Sequence, residues 1–89
     1  MKFEGRILSG EFDLQSNEFS LHQIKHIIVE SVINESKFNH LFSYLKSHED
    51  DNDGQVISLH DQVLVKLSKD EIKELISDLQ TVQSYFRTF

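Results

Sequence analysis

Two short stretches carry side chains whose types and spacing could do chemistry. In "HEDDNDGQVISLH", residues 48–60, the carboxylates Glu49, Asp50, Asp51 and Asp53 crowd together with Asn52 and Gly54 among them. Oxygen donors at every second position are the set that holds a hard cation such as calcium. In "HQIKH", His22 and His26 stand four apart, the spacing at which two imidazoles on one helix face share a zinc ion. His40, His48 and His60 have no comparable pairing. The chain has no glycine-rich phosphate loop, no cysteine, and no serine in a nucleophile-elbow setting.

Both candidates weaken when the full donor sets are written out. With Gly54 at the sixth position, the acidic stretch resembles an EF-hand loop: Glu49 is first, Asp51 third, Asp53 fifth, and Val56 the usual apolar eighth. The twelfth position, which should supply a bidentate glutamate, is His60, and the ninth is Ile57. Glu49, Asp51 and Asp53 alone would hold calcium only weakly, on the order of millimolar. The simpler expectation is a solvated turn between a helix ending near His48 and a strand beginning near Gln55, with Asn-Asp-Gly tolerating positive φ. Acids at a helix C-terminus oppose the dipole, so a positive group is expected beside them. The histidine pair resembles the zinc-protease pattern H-E-x-x-H, but Gln23 stands where the general-base glutamate belongs. An amide takes no proton from water, so no hydrolase is expected. Neither an enzyme nor a bound cofactor is expected.

The elements that would position these residues follow from periodicity. Ser9 and Gly10 lie between "KFEGRIL" and "EFDLQ", which predicts a hairpin turning there, with Ile7 opposite Phe12 and Phe3, Ile7, Phe12 and Leu14 on one face. Ser20 and Gln23 form a capping box, Phe19 and Ile24 a hydrophobic staple, and Leu21, Ile24, Ile27, Ile28, Ser31 and Val32 follow helical spacing. A first helix is therefore expected, its apolar stripe widened by Val29 and Ile33. After a break near residues 34–36, Phe38, Leu41, Phe42 and Leu45 continue in helical spacing. Beyond Gly54, a second hairpin with its turn at residues 60–62 aligns Ile57, Leu59, Val63, Val65 and Leu67. Ser68 and Glu71 then open a last helix with the stripe Ile72, Leu75, Ile76, Leu79, Val82 and Phe86. The expected fold is a single α+β domain over residues 1–89: two antiparallel β-hairpins packed against two or three helices, in the order β-β-α-(α)-β-β-α.

Composition bounds the function. A net charge of −6 over 89 residues argues against nucleic acid as a partner, which needs clustered lysine and arginine. No apolar run approaches the ~20 residues that span a bilayer, and the start lacks the apolar core of a signal peptide. The absence of cysteine fits the cytoplasm. The expected function is a small acidic, non-enzymatic module that binds another protein or a second copy of itself as a homodimer. Val29 and Ile33 on the over-wide first helix, and Tyr85, Phe86 and Phe89 around Arg87 in the tail, are the expected interface. One alternative is an inhibitor whose acids imitate a nucleic-acid backbone; another is a weakly calcium-responsive protein using the loop at residues 49–55.

Overall fold

In a computed structural model, residues 1–59 and 63–87 are described, the side chain of Val63 excepted. The fold is α+β, with two antiparallel sheets and two helices. Strands β1 (Lys2–Glu4), β2 (Leu8–Asp13), β3 (Glu18–Ile24) and β4 (Ile27–Ile33) form a four-stranded meander in the order β1-β2-β3-β4. Helix α1 (Glu35–Ser47) follows, then a hairpin of β5 (Gln55–Leu59) and β6 (Val63–Leu67), then helix α2 (Lys69–Gln83).

The first 33 residues depart from expectation. Gly10 lies inside β2, opposite Phe3, and the chain reverses earlier, between Glu4 and Leu8. A Cβ on Gly10 would stand 2.2 Å from the Ser20 carbonyl oxygen and 2.7 Å from the Phe19 ring, at the point where the β2–β3 register shifts. Glycine serves there for close backbone approach at an irregularity, not for a turn. Phe12 therefore faces Phe19 instead of Ile7, and Leu14 is exposed in the β2–β3 loop.

The helix expected from Ser20 does not form, and no third helix is present among the described residues. Its residues make β3 and β4, joined at Lys25 and His26 with Lys25 at φ 58°. Ser20 pairs with Val32 and Gln23 with Ile28, so the capping-box residues are ladder residues. The cause is the run "IIVESVI". Branched Cβ atoms are stiff in a helix and pack well on a pleated surface, and alternation buries Val29 and Ile33 while exposing Ile28, Glu30 and Val32.

The later elements form as expected. The Asn34 side chain caps α1, accepting the Lys37 N–H at 2.8 Å, which accounts for the break before it. Ile57, Leu59, Val65 and Leu67 share the buried face of the second hairpin; its turn residues, 60–62, lie outside the described residues. Ser68 and Glu71 complete their capping box on α2, and Ile72, Leu75, Ile76, Leu79 and Val82 are buried along it.

α2 holds the two sheets in one core. Its buried Asp78 accepts backbone N–H groups from Arg6, Ile7 and Leu8 at 2.9, 2.8 and 3.0 Å, pinning the β1–β2 turn. At its N-terminus, Lys25 lies 3.0 Å from Glu71 Oε2 and donates to the Lys66 carbonyl, tying the β3–β4 turn to both α2 and β6. Past its C-terminus, Arg87 N–H donates to Asn17 in the β2–β3 loop at 2.9 Å. Phe86 packs edge-on against Phe12 of the meander and against Phe38 of α1, both at 4.9 Å between ring centres. Burying a large apolar side chain stabilises by roughly 1.5–3 kcal/mol. Among the described residues, no helix is long and apolar enough to cross a membrane.

Candidate functional site

The acidic stretch is the turn from α1 to β5. Gly54 takes φ 73°, and its N–H donates to the Asp51 carbonyl at 3.2 Å. Asp51 Oδ2 accepts Gln55 Nε2 at 2.8 Å and lies 2.8 Å from His48 Nδ1. The Tyr44 hydroxyl donates in turn to Gln55 Oε1, and the Tyr44 and His48 rings meet at 4.6 Å. Glu49 pairs with Lys46 at 3.6 Å, and Lys69 donates to Asn52 at 3.3 Å. Lys46 thus sets a positive charge beside Glu49, and Lys69 reaches the neighbouring Asn52. Among the described residues, no three His, Cys, Asp or Glu side chains gather as a metal would need, Glu49, Asp51 and Asp53 included.

The histidine pair loses its premise. His22 is exposed on β3 and His26 stands in the turn beyond it, so no helix face carries both. The expected interface residues also lie elsewhere than a helix surface. Val29, Ile33 and Phe86 are in the core, Tyr85 packs against its edge, and Phe89 lies outside the described residues. Different apolar side chains stand in water, among them Ile28 (81% exposed) and Val32 on β4, Val56 on β5, Leu64 on β6 and Leu14 in the β2–β3 loop.

A groove of about 410 Å³ lies between β4 and β5, bordered by Ser31 and Ile33 on one side and residues 56–59 on the other. Its floor is α1, through Lys37, His40, Leu41 and Tyr44. β4 ends the four-stranded sheet and β5 pairs only with β6, so among the described residues each strand turns an edge without a ladder outward. Buried Ile57 and Leu59 border the groove together with exposed Val56 and Ser58. Residues of both faces appear there because the strand is met edge-on. Nothing local in the sequence announces this site, since it arises where two separate elements approach.

Charge is distributed unevenly around it. The outward positions of the meander carry Glu4, Glu11, Asp13, Glu18 and Glu30, with Lys2 and His22 among them. Asp13 stands directly opposite Glu18, a like-charge pair that costs stability. The Gln15 and Ser16 backbone N–H groups hold the Asp13 carboxyl below its ordinary value of 3.8. The Ser68 N–H, helped by Lys25, does the same for Glu71. The groove, by contrast, is bordered by Lys37 and His40 and by no carboxylate among the described residues. Comparison of the chain with protein-family models, curated proteins and solved structures finds no match.

Proposed function

We propose that the protein is a non-enzymatic binding module that docks onto another protein along β4, α1 and β5. One observation carries this reading. Ile28 and Val32 stand exposed on β4, and Val56 stands exposed at an apolar groove lined by β4, α1 and β5. Exposed apolar side chains beside open edges invite association and are otherwise a liability. Capture from a lysate of the source cell tests it, using the wild type and an Ile28→Lys, Val32→Lys double variant. Both positions are exposed, so the variant should fold. A partner should stay bound to the wild type in high salt and be lost from the variant; equal capture by both would refute the reading.

A second reading rests on the acidic outer face. The Asp13–Glu18 opposition is relieved if a basic surface covers it, as an inhibitor of a nucleic-acid-binding protein would require. Binding of that kind fades steeply as salt rises through the physiological range, whereas groove binding does not.

A further inference from the structure

Resting on the binding reading above, we infer that the partner presents a basic amphipathic helix, which lies along the outer face of the meander with β4 at its side. Strand β3 is laddered to β2 and to β4, so a segment lying over it has no edge to pair with. Such a segment must satisfy its own N–H and C=O groups, as a helix does internally. The face is shaped to seat one. Ser20, a small residue, stands between Glu11 on β2 and Val32 on β4 in one cross-strand row. Two hollows of about 380 and 690 Å³ meet over Ser20 and His22. The first is bordered by Glu11, Asp13 and Leu14, the second by Glu30 and Val32. From β2 to β4 is roughly 10 Å, close to the diameter of a helix. The seven residues of β3 run roughly 23 Å, the length of about 15 helical residues. Charge and exposed apolar surface select the side chains of the guest. The outward carboxylates Glu4, Glu11, Asp13 and Glu18 share the face with one lysine, Lys2, which lies 3.4 Å from Glu4. No ion pair among the described residues reaches Glu11, Asp13 or Glu18. Leu14, Ile28 and Val32 stand beside them, each more than half exposed. The helix therefore carries an apolar stripe flanked by lysine or arginine. A second copy would bring the same carboxylates, which disfavours it as the occupant.

The probe is a capped peptide of about 15 residues, with leucine along one helical face and lysine flanking it, and a twin with glutamate in place of every lysine. Titrated into isotope-labelled full-length protein, the lysine peptide should shift the amides of residues 11–14, 20–22 and 28–32. It should also gain helicity by circular dichroism as it binds. The glutamate twin should bind about tenfold more weakly. Two variants of equal charge change separate this face from net charge. Glu11→Lys with Glu18→Lys should weaken the lysine peptide about tenfold. Asp50→Lys with Asp53→Lys, both exposed in the α1–β5 turn, should change its affinity less than about twofold. Equal weakening by both pairs, equal binding of the two peptides, shifts confined to residues 56–59, or no shifts at millimolar peptide overturns the proposal. Shifts on the meander that grow with protein concentration alone overturn it in favour of a second copy. If lysate capture depends on Ile28 and Val32 while the peptide fails, the protein-binding reading stands and this occupant falls.

Discussion

Asp78 is the side chain on which the meander's attachment to α2 turns. It is a buried carboxylate with three backbone donors and no further cation within ion-pair reach among the described residues. Removing it leaves those N–H groups unsatisfied in the interior, which costs more than the bonds contribute net. Asp78→Ala should therefore lose about 3–5 kcal/mol in urea unfolding, against a total of about 4–13 kcal/mol for a chain of this size. A loss under about 1 kcal/mol would mean that water replaces the carboxylate easily. Glu71 makes a titratable contribution instead. Its folded-state value lies below the ordinary 4.5, so the stability it adds is present above that pH and is lost as the pH falls through the lowered value. The stability difference between wild type and Glu71→Gln should shrink as pH drops from about 7 to about 3. A difference constant over that window would contradict the assignment.

At the level of elements, Gly10 shows how one residue type supports two structures. A glycine between alternating runs signals a turn, but it equally permits the close approach of Ser20 that the β2–β3 irregularity requires. Gly10→Ala should cost about 3 kcal/mol, since a Cβ cannot enter without moving backbone. A neutral result would place the turn back at Ser9 and Gly10. Residues 20–33 were illegible for a related reason: positions 21, 24, 27, 28, 31 and 32 suit a helix, while 29, 31 and 33 suit a strand face. Cross-strand pairing with β2 decided between them, and no local signal reports that. In β5, β6 and α2, by contrast, propensity, capping and burial agree, and there the sequence was readable. The acidic turn was readable as a turn, but its Tyr44–Gln55–Asp51–His48 network was not, because it joins a helix end to a strand start. With Asp51 engaged in that network, calcium at about 10 mM should leave the melting midpoint unchanged; a clear rise would show a cation bound to the native state.

For the whole molecule, the account is that apolar residues close one core between two sheets, and that the surface left over does the work. The core takes Phe12, Phe38 and Phe86 from meander, α1 and tail, so Phe86→Ala should cost about 3–5 kcal/mol and loosen all three together. What remains outside is an acidic sheet face and an apolar groove between β4 and β5 with Lys37 and His40 at its border. Edges of this kind are usually blunted by lysine, proline or a covering element. β4 carries no lysine or proline in "IIVESVI". Amide hydrogen exchange of the free protein, at low concentration, tests this most directly. Among the described residues β4 is laddered to β3 alone and β5 to β6 alone, so alternate amides in both strands should be protected, while the outward ones exchange rapidly. Slow exchange at every amide along both strands would show the edges already covered, and would contradict the account.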